Sequence, residues 1–456
     1  MTCSEQMLPF RQSPDFVRVR QMHELLADRA AMTIPIRFDG SSNYCSKLQS
    51  LILIVGASRS GSSWVAQCFG GSQGCVGLRG EIDPVLLLSL ASTTSTNDSS
   101  DALGDEHATE EVAEVLGRNL AFMAGRHNVR SDRWYLSDEA IFEMAMRTIW
   151  QWPALEIDPL RLLDLIAWAF GDSHAHTSSD AAMLAYIDSL KRFIRGCDFS
   201  PYYYDIPYYS IRGAFPLARI PAGPPNERLV IEEPPFVPFS PWSWPNPNNL
   251  LRLPLVLKSP SNSYRLSFFR ALFPNARIHV VHVLRHPVSS VTGLIVGWAH
   301  HGFFKHRLTS TTLDIDGYSN GTLPWTRTWW KFDLPPGWSR FASQPLPEVC
   351  TFQWVSANRH VIEWVRKHPT EVNYIQVRYE DLVRNPYMEF AGLFRGLGLD
   401  VNVALLHSVA RSRTTMASQG VLKGKRREAC DEALRACTNP EVKELCRELK
   451  LDRDSR

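Results

Sequence analysis

Short runs of apolar, β-branched residues alternate along the chain with longer segments in which apolar residues recur every three or four positions. The apolar runs predict strands at residues 51–55, 254–258, 278–285 and 374–378. The helical period predicts helices at residues 14–30, 61–70, 263–273, 287–297, 352–367 and 386–396. This alternation indicates an α/β fold with a central, mostly parallel sheet flanked by helices.

A long insertion at about residues 91–250 interrupts the alternation of strands and helices. It has helical periodicity at 108–125 and 139–194, followed by a stretch from Pro201 to Pro247 that is rich in proline and aromatic residues. Because proline at this density excludes helices and interior strands, we expect an ordered aromatic wall over a pocket. Packing between subdomains is the alternative interpretation.

A second insertion, at about residues 298–348, is rich in tryptophan. The length of 456 residues allows either one large domain with insertions or two domains. We expect an N-terminal extension at 1–48 and one domain at 49–456 in which the insertions form a helical and aromatic cap.

The predicted strand at 51–55 leads directly into the turn Gly56-Ala-Ser-Arg-Ser-Gly-Ser-Ser63. A strand, a glycine-bracketed turn and a helix form an anion cradle, because loop N–H groups and the positive end of the helix dipole converge on a phosphate. The spacing nearly matches the P-loop pattern G-x-x-x-x-G-K-[ST], but Ser62 occupies the lysine position and the loop's cation is Arg59. A nucleoside triphosphatase needs that lysine, so the loop predicts a different phosphorylated donor.

Two further segments follow this loop in a recognisable order. The strand Leu255-Val-Leu-Lys258 ends in a lysine, and after a helix and Phe273-Pro-Asn-Ala-Arg277 a second strand ends in Arg285-His-Pro287. The last segment contains Tyr379-Glu-Asp-Leu382, Asn385-Pro386 and Leu397-Gly-Leu399. Together with the loop and Trp64, these segments resemble the sulfotransferases that use 3′-phosphoadenosine 5′-phosphosulfate (PAPS), over residues 51–84, 253–298 and 350–400.

The resemblance implies a P-loop-like sulfotransferase fold. It also implies transfer of a sulfuryl group from PAPS to a hydroxyl or amine of a small-molecule acceptor, by in-line displacement and without a metal. A P-loop small-molecule kinase is the first alternative, but it would need a loop lysine and a metal-binding carboxylate, whereas the strand at 278–285 ends in Arg285. A catalytically inactive scaffold that binds the product 3′-phosphoadenosine 5′-phosphate (PAP) is the second.

The donor-site residues follow from the resemblance, position by position. Arg59 would meet the bridging and sulfuryl oxygens, Lys258 would add charge at the sulfuryl group, and Arg285 would bind the 3′-phosphate. The other implied contacts are Ser60, Gly61, Ser62 and Ser63 to the 5′-phosphate, Trp64 and Tyr379 to the adenine, and Lys423 and Gly424 in a basic loop over the 3′-phosphate.

Two departures from the family pattern affect the site. The family usually has a serine eight residues after its 3′-phosphate arginine, where this chain has Gly293, and Ser290 is our substitute. Many relatives use a histidine after the lysine-ended strand as general base, but Asn262 cannot take a proton. Other relatives use a glutamate after the first helix, so we expect Glu81 to be the base, with Asp83 second.

Composition constrains partners and location. The net charge of +2 favours neither nucleic acid nor an anionic membrane surface. Nine cysteines, an odd number without paired metal spacing, indicate reduced thiols, and His300, His301 and His306 lack the spacing of a zinc site. The first twenty residues lack the apolar core of a signal peptide, and no apolar run is long enough to span a bilayer.

We therefore expect a cytoplasmic protein. The abundance of aromatic residues in the insertions favours a hydrophobic or aromatic small molecule, or a sugar, over a highly charged polysaccharide as the acceptor.

Overall fold

A computed structural model describes most of the chain outside the first insertion. The described residues are 14–33, 43–89, 100–127, 138–153, 156–170, 179–193, 231, 242–300, 302–321, 323–406 and 425–454. Apart from Ile231 and residues 242–247, the predicted aromatic wall lies outside them. So do Lys423, Gly424 and His301.

A sheet of five parallel strands lies at the centre, in the order β2-β5-β1-β6-β9. Its strands are β1 (Ser50–Val55), β2 (Val76–Gly77), β5 (Leu255–Lys258), β6 (Arg277–Leu284) and β9 (Val372–Arg378). Two antiparallel pairs lie outside this sheet: β3 (Arg126–His127) with β4 (Trp242–Ser243), and β7 (Phe304–Arg307) with β8 (Trp329–Lys331). The α/β prediction and its four strands are confirmed, while β2 is too short to show a period in the sequence.

The helices flank this sheet and form most of the described part of the first insertion. In chain order they are α1 (Pro14–Thr33), α2 (Tyr44–Lys47), α3 (Ser62–Gly70), α4 (Asp83–Leu88), α5 (Glu110–Met123), α6 (Asp138–Gln151), α7 (Pro159–Phe170), α8 (Ser179–Phe193), α9 (Pro247–Arg252), α10 (Leu266–Leu272), α11 (Pro287–Trp298), α12 (Leu346–Lys367), α13 (Tyr379–Arg384), α14 (Pro386–Gly396), α15 (Lys425–Ala436) and α16 (Pro440–Glu448). Among the described helices, none combines the length and apolarity that crossing a membrane requires.

Two predicted helices have different limits in the structure. The helix predicted at 352–367 begins at Leu346, because Pro347 in its first turn needs no hydrogen-bond acceptor there. The helix predicted at 263–273 is divided into a short 3₁₀ turn, Pro260–Tyr264, and α10.

Alternate residues of β1 face two different hydrophobic layers, as the period of a strand requires. Leu51, Leu53 and Val55 pack in the layer that contains α1 and the helices of the first insertion. Ile52 and Ile54 pack in the opposite layer, with residues of α3 and α14. Burial on both faces explains why β1 is a continuous apolar run rather than an alternating one.

The second insertion has a tryptophan-rich core of its own. Trp330 is completely buried, and its ring centroid lies 5.2 Å from that of Trp298 and 5.6 Å from that of Trp338. Edge-to-face packing of this kind stabilises aromatic clusters beyond the area that they bury. This core includes residues of α11, α12 and α15, so the insertion is packed against the domain rather than extended from it.

Asp101 joins the first insertion to the second. Its backbone N–H donates to the carbonyl of Leu334 at 2.8 Å, and its Oδ2 accepts from the Leu334 N–H at 2.9 Å. Its side chain also pairs with Arg265 at 3.4 Å and with His306 at 3.3 Å. Burial alone would raise the pKa of Asp101, but the charges of His306 and Lys305 outweigh it and hold the pKa well below its usual range.

We predict that Asp101→Ala lowers the free energy of unfolding by about 3–5 kcal/mol, because it leaves Arg265 buried without one of its carboxylates. Urea unfolding at neutral pH measures this loss. Asp105→Ala, at an exposed position four residues on, is the control and should change stability by less than about 0.5 kcal/mol.

Acidification gives a second readout of the ion pair between Asp101 and Arg265. The depressed pKa of Asp101 contributes stability above the unfolded pKa of about 4, and this contribution is lost as the pH falls through the folded value. The difference in the free energy of unfolding between wild type and Asp101→Ala should therefore become smaller at acid pH. A difference in the free energy of unfolding that stays constant from pH 7 to pH 3 would contradict stabilisation by the ion pairs of Asp101.

Candidate functional site

The loop between β1 and α3 has an unusual backbone conformation. Arg59 has a φ of 67° and Gly61 has a φ of 100°, both in the left-handed region. A Cβ at Gly61 would lie 2.3 Å from Cδ2 of Tyr379, so only glycine allows this close approach. Strain of this kind persists only where the surroundings hold the backbone in place, and it concentrates at functional sites.

Side chains from other parts of the chain hold this loop. The N–H of Gly56 donates to Oγ of Ser263 at 3.0 Å. The hydroxyl of Ser290 donates to the carbonyl of Ser58 at 3.2 Å, and Nη1 of Arg285 donates to the carbonyl of Arg59 at 2.9 Å. Ser290, our substitute for the family's serine, therefore contacts the loop backbone.

Asp333 from the second insertion supplies the shortest of these contacts. Its Oδ1 accepts from the hydroxyl of Ser58 at 2.6 Å, and its Oδ2 accepts from the hydroxyl of Tyr264 at 2.8 Å. Burial raises the pKa of Asp333, while these two hydrogen bonds act in the opposite direction. Nothing in the sequence around Asp333 indicates this role, because the contact joins residues 275 positions apart.

The loop and the start of α3 offer hydrogen-bond donors to an anion. Gly61 is the N-cap of α3 and gives no side-chain cap, so the first N–H groups of the helix remain available. The hydroxyl of Ser60 is buried, and it has no hydrogen-bond partner among the residues that the structure describes. Ser62 is also buried, whereas Ser63 is exposed. These donors fit a phosphate, which is the ligand that the sequence predicts here.

Arg285 lies at the carboxyl end of β6, next to the loop. Its guanidinium lies 4.5 Å from the ring centroid of Tyr379, within the range of a cation–π contact. Burial lowers the pKa of Arg285. The nearby Tyr379 and Glu380 act in the opposite direction, and the charge of Arg426 lowers this pKa further. The planar guanidinium of Arg285, at the carboxyl end of a parallel strand, is suited to a phosphate.

Lys258 lies at the end of β5, on the other side of β1, and Glu81 faces it. The Lys258 ammonium forms an ion pair with Oε1 of Glu81. The Glu81 side chain is 29% exposed, so it is accessible to a substrate. Asn262, by contrast, is completely buried. The structure thus brings the predicted base and the predicted lysine together.

Asp83, the second candidate for the base, has two cationic partners. Its Oδ1 lies 2.8 Å from Nη1 of Arg265 and 3.1 Å from Nζ of Lys305. Burial would raise the pKa of Asp83, but Lys305 and Arg265 hold it well below its usual range. A carboxylate with so low a pKa takes up a proton poorly, which disfavours Asp83 as the base.

The remaining predicted residues pack around the loop. Trp64 is 4% exposed and lies edge-on to Tyr379 and Phe390, at centroid distances of 6.2 Å and 5.4 Å. Gly293 lies against Arg59, and a Cβ there would come within 3.2 Å of the Cβ of Arg59. The adenine roles of Trp64 and Tyr379 stay predictions.

The site therefore lies across the carboxyl ends of β5, β1 and β6. These are adjacent strands of the parallel sheet, and ligands of such sheets bind in the crevice at this edge. Sequence reasoning missed Asp333 and the ion pair that Lys305 forms with Asp83, because Asp333 and Lys305 come from the second insertion, where no motif marks them.

Comparison with known proteins supplies a family. A family model described as the Sulfotransferase family matches residues 51–337, more than half of the chain. No curated protein matches the chain.

Solved structures give distant matches. The sulfotransferase domain of the Synechococcus PCC 7002 olefin synthase is 15% identical with a TM-score of 0.33, over 88% of this chain and 95% of that chain. Sulfotransferase STF9 from Mycobacterium avium is 10% identical with a TM-score of 0.35, over 95% of this chain and 87% of that chain. At such scores the likeness bears on neither substrate nor mechanism.

Proposed function

The chain belongs to the sulfotransferase family, and from this premise we propose that it transfers a sulfuryl group from PAPS to a hydroxyl or amine of a small-molecule acceptor. One observation carries the proposal. A loop with hydrogen-bond donors suited to an anion, a half-buried arginine and a Glu–Lys pair meet at the carboxyl ends of three adjacent strands.

The donor would be held at its two phosphate positions. The N–H groups at the start of α3 and the hydroxyl of Ser60 would donate to the 5′-phosphate. Arg285 would bind the 3′-phosphate in its planar fork, with Arg426 adding positive charge nearby. The 3′-phosphate distinguishes this donor from ATP and ADP, so Arg285 would determine nucleotide selectivity.

The Glu–Lys pair would serve the transfer itself. The acceptor oxygen or nitrogen attacks sulfur while the bond from sulfur to the bridging oxygen of the 5′-phosphate breaks, and PAP leaves with the electron pair. Glu81 would take the acceptor's proton. Lys258, paired with Glu81, and Arg59 would stabilise the negative charge that develops on the sulfuryl and bridging oxygens.

We propose a cytoplasmic location, because nine cysteines, an odd number, indicate reduced thiols. The acceptor would be a hydrophobic or aromatic small molecule or a sugar. The abundance of aromatic residues in the insertions supports this class of acceptor.

Calorimetric titration with PAP tests the donor site. We expect wild type to bind PAP in preference to ADP and to ATP with Mg²⁺, and Arg285→Ala to weaken PAP binding roughly 10- to 100-fold through loss of a charge-assisted contact. Arg277→Ala is the matched control, since Arg277 is exposed at the opposite end of the same strand. Preference for ATP with Mg²⁺, or equal PAP affinity in both variants, would contradict the proposal.

The proposed base is tested by Glu81→Gln, which keeps the size of the side chain and removes its basicity. We expect kcat to fall roughly 10²- to 10⁴-fold while PAP affinity stays within about threefold of wild type. The assay uses the best acceptor from a screen of phenols, alcohols and amines with PAPS. Retention of kcat in Glu81→Gln would place the base elsewhere, and tight PAP binding without any turnover in wild type would favour the inactive scaffold.

A further inference from the structure

Several residues with a strained backbone conformation lie close to Arg59. Among the described residues, the non-glycine residues with positive φ are Arg59 at 67°, Phe303 at 64°, Phe332 at 61° and Lys450 at 57°. The first three are connected by direct contacts, although Arg59 comes from the loop and the two phenylalanines from one end of the β7–β8 pair, where Phe303 precedes β7 and Phe332 follows β8. A phenylalanine in this region of φ is an outlier, and such outliers are retained where the surrounding structure requires them.

Phe303 covers one side of the Arg59 side chain. Its ring centroid lies 5.3 Å from Cζ of the Arg59 guanidinium, within cation–π range. The ring of Phe303 stacks in turn on Phe332, with centroids 4.8 Å apart and planes 24° apart. The N–H of Phe332 also donates to the carbonyl of Phe303 at 3.2 Å, which fixes the two strained residues to each other.

Gly293 contacts the same arginine nearer its backbone. A Cβ on Gly293 would lie 3.2 Å from Cβ, 3.7 Å from Cγ and 3.8 Å from Nε of Arg59. Any larger residue would therefore crowd the arginine along its stem. Gly293 at the stem and the ring of Phe303 at the guanidinium together form a slot against which Arg59 packs.

We infer that Gly293 and Phe303 form a slot that fixes the guanidinium of Arg59 for sulfuryl transfer, which makes Phe303 a positioning residue. The inference deepens the proposed function and rests on it. The slot also accounts for one departure from the family pattern. Glycine replaces the usual serine on α11, because the Arg59 side chain takes the space that a serine side chain would fill.

The test uses Phe303→Leu, which removes the aromatic face but keeps an apolar side chain. Phe341→Leu is the matched control, since Phe341 is also partly buried and stacks on another phenylalanine, Phe352, at 3.9 Å. Phe303→Tyr keeps the ring face and is the rescue variant. Thermal unfolding of each variant separates loss of the fold from loss of the slot.

The first readout is independent of activity. Phenylglyoxal modifies accessible arginines, and peptide mass spectrometry follows the rate at Arg59. We expect Phe303→Leu to raise this rate several-fold, and Phe303→Tyr and Phe341→Leu to leave it near the wild-type value. Equal rates in Phe303→Leu and Phe341→Leu would overturn the inference, whether or not the protein turns over PAPS.

The second readout is kinetic. With PAPS and the acceptor from the screen, we expect Phe303→Leu to lower kcat roughly 3- to 30-fold with little change in KM for PAPS, because Arg59 acts on charge that develops in the transition state. Gly293→Ala, which crowds the stem of the same arginine, should lower kcat in the same way. A wild-type kcat in both variants would overturn the inference while leaving PAP binding and the proposed function intact.

Discussion

The candidate site depends on hydrogen bonds from side chains, distant in the sequence, that fix the loop between β1 and α3. The loop's own backbone is strained at Arg59, and glycine is required at Gly61. Contacts from Ser263, Ser290, Arg285 and Asp333 compensate for this strain. These four residues come from three separate parts of the chain, so the loop acquires its shape only when those parts have folded together. An anion site prepared in this way needs no rearrangement when its ligand binds.

The insertions are therefore part of the site rather than additions to it. Asp333 holds the loop, Phe303 covers Arg59, and Lys305 pairs with Asp83 beside the proposed base. Asp101 connects the same insertion to the core through a buried network of charges. Buried charges of this kind are costly when a partner is lost, which makes the position of the second insertion specific.

The strands and the donor loop could be predicted from the sequence, because both are local. Burial on two faces makes β1, β5 and β6 apolar runs, and the glycines mark the turn directly. The ion pair between Glu81 and Lys258 was not predicted, but both residues were, since each lies beside a recognisable strand or helix end. Asp333, Phe303 and the cationic partners of Asp83 could not be predicted, because their roles arise only from contacts between segments far apart in the chain.

The most direct test of the account is a crystal structure with PAP. The account predicts the 5′-phosphate against the N–H groups at the start of α3 and the hydroxyl of Ser60. We expect the 3′-phosphate within hydrogen-bond distance of the Arg285 guanidinium, which also donates to the carbonyl of Arg59. PAP bound away from the loop, or with its 3′-phosphate remote from Arg285, would contradict the account.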